Sequence, residues 1–401
     1  MRRVYFDHSA TTPVDSEVAK VMMEYMTEKF GNPGSIHYFG REANKAVSEA
    51  RANVAALLGA NSNEIFFTSG GTESDNLALK GVAFANRKKG NHIITTAIEH
   101  HAVLHACQYL EKQGFDVTYL PVDENAMVRL EDVKNAITDK TILISVMFAN
   151  NEVGTIQPIK EIGQLAKDKG IYFHTDAVQV VGNYPVDVNE YNIDLLSISG
   201  HKLYGPKGVG VLYVRKGVKV ESLQQGGSQE RKLRAGTENV PGIVGLGKAA
   251  EQARLQMAER IAHVQGLRDK LIKGIQERIT DIKLNGHAEK RLPGNVNISF
   301  FYVEGESLLL NLDMKGIAAS SGSACTSGSL DPSHVLLAMG MTHETAHGSL
   351  RLSLGSGNTQ ADVDYCLEVL PPIVEKLRSM SPLSATSKLA PSNPCNQCHH
   401  H

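Results

Sequence analysis

Cysteine is scarce in this sequence, and so are excess charge of either sign and long apolar runs. Five cysteines, at positions 107, 325, 366, 395 and 398, are too few and too scattered for a disulfide framework. Each is therefore to be read as buried, reactive or metal-binding. Lysine and arginine number 41 against 43 aspartates and glutamates, a net charge of −2. That balance lacks the basic face that nucleic acid or an anionic membrane surface would demand. No apolar run approaches the length of a membrane span, and the opening Met1-Arg2-Arg3-Val4-Tyr5-Phe6-Asp7 lacks the apolar stretch of a secretory signal. We expect a cytoplasmic protein with no nucleic-acid or membrane partner. No internal repeat is visible. What remains is a chain with 42% hydrophobic residues, enough for a large core and a second, smaller one.

From residue 64 the pattern alternates short apolar runs with helical periodicity. Strands are expected at 64–68, 92–95, 116–120, 141–148, 171–174 and 193–198, with helices at 72–86, 101–113 and 159–169 between them. Two helices precede them, at 16–30 and 41–58. Such βαβ alternation implies a mostly parallel, doubly wound sheet; a further strand is expected at 209–214, antiparallel to the rest. A long helix at 241–279 bridges to a smaller α+β unit with strands at 295–301 and 349–354 and helices at 306–313, 333–339 and 362–378. The tail from Ser381, rich in Ser, Pro and Asn, reads as disordered.

The chemistry-bearing residues follow the strands. Ser197-Ile198-Ser199-Gly200-His201-Lys202-Leu203-Tyr204-Gly205-Pro206-Lys207-Gly208 ends a buried strand in a tight turn. Ligands of open α/β sheets bind at strand ends, and a desolvated lysine there is a nucleophile that forms a Schiff base with an aldehyde. The alternative is a surface lysine in a loop. Thr68-Ser69-Gly70-Gly71-Thr72-Glu73-Ser74-Asp75-Asn76 joins a strand to a helix, so its free N–H groups can seat a phosphate. It lacks the lysine of a nucleotide-binding P-loop, and an ordinary capped helix start is the plainer reading. Asp176, in His174-Thr175-Asp176-Ala177-Val178-Gln179, can pair with a protonated ring nitrogen or merely cap a loop. His100, in Glu99-His100-His101, can stack on a flat cofactor and move protons, or be a structural polar residue at a helix start. A phosphate seat, an imidazole, a carboxylate and a lysine are together what a phosphorylated pyridine aldehyde needs.

At this point the chain resembles a known family, the group I cysteine desulfurases, fold type I enzymes dependent on pyridoxal 5'-phosphate (PLP). The resemblance runs from about Val4 to Leu383. It rests on the stretches above and on Gly31-Asn32-Pro33, Asn150-Asn151-Glu152, Arg234-Ala235-Gly236-Thr237-Glu238-Asn239, Ser320 to Ser329 and Gly348-Ser349-Leu350-Arg351. The Arg-Ala-Gly-Thr-Glu-Asn form and Ala346-His347-Gly348 favour its nitrogen-fixation branch over the housekeeping one. The resemblance implies a large PLP-binding domain at 15–260. A small domain would combine 1–14 with 261–383 and carry a catalytic loop at 320–331, with a disordered tail at 384–401. Lys202 would hold PLP; Gly71, Thr72, Ser199 and His201 would bind its phosphate. Asp176 would pair with the pyridine nitrogen and Gln179 with the ring hydroxyl, with Asn151 near that hydroxyl and the substrate. Thr237 would reach the phosphate in the other subunit of a homodimer. Arg351 would grip the substrate carboxylate, a two-pronged task suited to guanidinium.

Cys325 lies in a run, Ser320 to Ser329, with no bulky side chain, which predicts a mobile, exposed loop. Read alone it could be an unreactive linker cysteine; the resemblance makes it the residue that receives sulfur as a persulfide and, through it, a transient iron–sulfur ligand. The implied reaction converts L-cysteine to L-alanine and passes sulfur to an iron–sulfur scaffold protein. Lys202 would take the α proton, the Cys325 thiolate would attack the substrate sulfur, and His100 would serve the proton transfers. A selenocysteine lyase or another PLP lyase on the same fold is the near rival. A non-catalytic sulfur or iron–sulfur carrier is the distant one, disfavoured because clusters usually take four ligands. Cys107 and Cys366 fall in expected helices and read as buried. Cys395-Asn396-Gln397-Cys398-His399 matches a haem-attachment pattern but has no surrounding domain, and one Cys pair is half a zinc site.

Overall fold

The computed structural model describes residues 2–321 and 332–381. Cys325, most of the 320–331 loop, Cys395, Cys398 and the 384–401 tail lie outside them. A seven-stranded sheet runs in the order Ile65–Thr68, Gly210–Val214, Leu195–Ser199, Tyr172–Asp176, Thr141–Ser145, His92–Thr96, Asp116–Leu120. Gly210–Val214 is antiparallel to both neighbours and the other pairings are parallel. The central strands are buried on both faces throughout, as helices on both sides require. This is the α/β doubly wound fold that the alternation predicts.

Helix Gly71–Asn86 packs on the central strands, and Tyr38–Leu58 packs along the long helix Val240–Arg278. Tyr38–Leu58 stops at Gly59, whose φ of 66° is left-handed and whose absent Cβ leaves room for the Asp187 carboxylate. The first helix, Ser16–Thr27, ends three residues before the expected 30 because the N–H groups of Glu28 and Lys29 both return to the Glu24 carbonyl and close the turn. The 39 residues of Val240–Arg278 span about 58 Å. Its first half, from Val240 to Ala253, packs into the core beneath the large sheet. Its second half, from Val264 to Ile275, packs into a separate core against strands Asn295–Phe300 and Ser349–Ser353 and helix Gln360–Met380. Those strands form an antiparallel three-stranded sheet with Ile282–Leu284. The chain start joins this second core, because Val4–Tyr5 pairs in parallel with Ile317–Ala318 and Phe6 is fully buried there.

The parallel strands point their carboxyl ends the same way, so the segments after Thr68, Thr96, Ser145, Asp176 and Ser199 converge on one edge. Cys107 and Cys366 are buried in helices His101–Lys112 and Gln360–Met380, and burial pushes the Cys366 thiol up to about 12. Neither supplies a thiolate at neutral pH. Among the described residues no helix is long and apolar enough to cross a membrane.

Candidate active site

A cavity of about 390 Å³ opens at that edge. Gly71, Thr72, His100, Asn151, Asp176, Gln179, Ser199, His201, Lys202 and Arg351 line it. Ten of the residues singled out from the sequence, spread over more than half the chain, thus meet in one place. Thr237 is exposed and does not line it, and Cys325 lies outside the described residues.

Helix Gly71–Asn86 forms the floor at one end. Its first residues have no side-chain cap, so the amides of the opening turn face the cavity without an internal partner, beside the Ser199 hydroxyl and the His201 ring. Gly71 is required here because a Cβ would come within 2.7 Å of Val178 Cγ2, a stiff β-branched side chain that is itself part of the wall. The geometry is that of an anion seat.

Asp176 is the last residue of strand Tyr172–Asp176, two residues beyond the expected strand end at 174. It does cap a turn, accepting from the Val178 N–H at 2.9 Å, and it also faces the cavity. Burial raises its carboxyl pKa, while the Val178 N–H and the Lys202 charge draw it back down. Asp75, also buried, lines the same cavity; its Oδ1 has no hydrogen-bond partner among the described residues and lies 3.7 Å from His174 Nε2. Burial and then the Asp176 charge push Asp75 well above the carboxylate range. Two carboxyls in one dry place cannot both ionise; the charge belongs to Asp176, which has the N–H donor and the nearby ammonium.

His100 caps helix His101–Lys112 by accepting from the Ala102 N–H at Nδ1, at 3.1 Å. The ring proton is thereby assigned to Nε2. Burial, then the charges of His101, Lys202 and His105, lower its pKa to about 4. His201 is likewise lowered to about 4, by burial and then by Lys202 and Lys207, and its Nδ1 meets the Thr11 hydroxyl at 3.1 Å. Both imidazoles are neutral at pH 7. Lys202 Nζ donates to the backbone carbonyls of Ser9 and, at 2.8 Å, Ala10. Gln179 Nε2 donates to the same Ser9 carbonyl at 2.9 Å. Arg351 donates from Nη1 to the Asn151 carbonyl at 3.1 Å and from Nη2 to Asp7 at 3.0 Å.

Ser9, Ala10, Asp7 and Asp75 are the residues that sequence reasoning missed. Ser9 and Ala10 act through backbone carbonyls, which residue type does not announce. The available signal was position, since they follow a strand end in a run of small polar residues.

The family model for aminotransferase class-V matches residues 4–366. The chain belongs to the aminotransferase class-V family. Within this class-V family it is 62% identical over 384 residues to the cysteine desulfurase IscS of Clostridium botulinum, covering 95% of this chain and 97% of that one. It is 63% identical over 383 residues to the cysteine desulfurase IscS of Methanosarcina thermophila, covering 96% and 95%. Among solved structures it superposes on a NifS-like protein with a TM-score of 0.88 and 43% identity, covering 94% of this chain and all of the other. The class-V cavity fits PLP on its own donors: an uncapped helix start for the phosphate, a charged carboxylate for the ring nitrogen, a neutral imidazole and a lysine amine.

Proposed function

We propose that cysteine desulfuration in this chain runs through Lys202, Asp176, His100, Arg351 and Cys325. The protein is a PLP-dependent cysteine desulfurase that takes sulfur from L-cysteine for iron–sulfur cluster assembly. The supporting observation is the single cavity that brings an amine, a charged carboxylate, two neutral imidazoles, a guanidinium and an anion seat together.

When bound, PLP supplies an electron sink for the pair left at the substrate α carbon. The amides at Gly71 and Thr72, with Ser199 and His201, hold its phosphate; Asp176 holds its ring nitrogen and Gln179 its ring hydroxyl. Lys202 would hold its aldehyde carbon, and the free Lys202 amine would take the α proton of the substrate. The Ser9 and Ala10 carbonyls keep that ammonium in the cavity. Arg351 orients the substrate through its carboxylate, with Asn151 beside it. His100 presents Nε2–H and so gives a proton where the substrate sulfur leaves or the product carbon is made. The Cys325 thiolate attacks that sulfur. An S–S bond forms as the Cβ–S bond breaks, and the electron pair of the broken bond stays with the carbon skeleton, which gains a proton and leaves as alanine.

We further propose a cytoplasmic homodimer in which Thr237, exposed on its own protomer, completes the partner's phosphate seat, and an iron–sulfur scaffold protein that accepts the sulfur. The test of the site is Lys202→Ala. This variant should form no alanine from cysteine, and borohydride should no longer fix PLP to the chain. Normal turnover by Lys202→Ala would overturn the assignment.

A further inference from the structure

Arg351 is 3% exposed, and a guanidinium that dry needs a counter-charge before any substrate arrives. Asp7 provides it. The chain crosses from strand Val4–Tyr5 to a bridge between Asp7 and Ser353, two residues past Arg351 on strand Ser349–Ser353. That register sets the Asp7 carboxylate against Arg351 Nη2 at 3.0 Å. Nη1 is held separately by the Asn151 carbonyl. Among the described residues no other carboxylate ion-pairs with Arg351; the Glu152 carboxylate is turned onto the Ser333 hydroxyl. Arg351 Nε is buried and has no hydrogen-bond partner among the described residues, on a side chain that lines the cavity.

A guanidinium offers a carboxylate two parallel donors on one edge. The side-on edge here is Nε with Nη2, and Asp7 already sits on Nη2. A substrate carboxylate that takes Nε must share this edge with a second anion or push it aside. We propose that Asp7 is a specificity-determining residue: an internal carboxylate that competes with the substrate for Arg351. It keeps the empty site neutral and sets how tightly a carboxylate ligand is held. The inference rests on the reading of Arg351 as the carboxylate grip.

The probe is propionate, which has a carboxylate but neither thiol nor amine, titrated into the PLP-loaded protein by calorimetry and by thermal shift. Asp7→Asn keeps the shape and removes the charge. It should bind propionate about tenfold more tightly, the scale of one modest charge–charge coupling, and its KM for cysteine should fall in step. Cysteamine, which has the amine and thiol but no carboxylate, should bind both proteins alike. Equal or weaker propionate binding by Asp7→Asn, or an equal gain for cysteamine, would overturn the proposal. Asp7→Ser is the second variant should Asp7→Asn fail to fold. Arg351→Lys separates the two readings. If it binds propionate as the unaltered protein does, the grip itself is misassigned. If it loses propionate while Asp7→Asn gains nothing, only the competition by Asp7 fails.

Discussion

The His100 imidazole stays neutral because burial, reinforced by the charges of His101, Lys202 and His105, holds its pKa at about 4. An unfolded imidazole titrates near about 6.5. Between about 6.5 and about 4 the unfolded chain therefore binds a proton that the folded chain does not. The contribution of this group to stability is fully present above about 6.5 and is lost as the pH falls toward about 4. In NMR of labelled histidine, His100 should keep its Nδ1-acceptor, Nε2–H tautomer down to about pH 5; a midpoint near 6.5 would show that burial does not govern it. At this scale the sequence was legible wherever residue type carries the role. Lys202, Asp176 and His100 announce their chemistry by residue type, Gln179 and Arg351 were assigned through the family resemblance, and all five reach the cavity. Asp7 did not, because its partner lies 344 residues away and only the β-bridge brings the two together. Asp75 did not either. On helix Gly71–Asn86 it reads as one more polar residue, and the burial of its Oδ1 without a hydrogen bond among the described residues follows from tertiary packing alone.

Elements long enough to show a period were legible to within a few residues; helix Ile159–Lys169 and strand Asp116–Leu120 have the expected bounds. Among short ones, His334–Ala338 was legible and others were not. Ile317–Ala318 is a strand only because Val4–Tyr5 pairs with it from the far end of the chain, and Leu130–Ala136 and His343–His347 are too short for a helical stripe to stand out. The strand expected at 141–148 ends at Ser145: the Val146 and Phe148 N–H groups still donate to the His174 and Asp176 carbonyls, but the Met147 N–H turns to the Glu99 carboxylate, and hydrophobicity alone does not show that change. The connection between helices Ser16–Thr27 and Tyr38–Leu58 carries the argument for a second copy. Phe30, Ile36, Tyr38 and Phe39 are exposed there, Ile36 by 91%. An exposed apolar cluster of that kind is where the proposed second copy is expected to sit. Sedimentation equilibrium should give twice the 43.5 kDa of one chain, and Phe30→Ser with Ile36→Ser should shift it toward one. A single-chain mass for the unaltered protein would rule out the homodimer.

Across the whole molecule, the long helix Val240–Arg278 joins two cores, and the cavity collects residues from both sides of it. Lys202, Asp176 and the anion seat come from the large sheet, while Arg351 comes from the three-stranded sheet of the second core. In the mechanism proposed above, sulfur leaves the cavity on Cys325, which lies in the sequence between Ser321 and Pro332. The decisive measurement is peptide mass spectrometry of the PLP-loaded protein after exposure to cysteine, with alanine release followed in parallel. Cys325 should carry an extra sulfur atom while alanine accumulates, and Cys325→Ser should carry none and make almost no alanine. Extra sulfur on Cys395 or Cys398 with Cys325 unmodified, or undiminished alanine from Cys325→Ser, would contradict the mechanism.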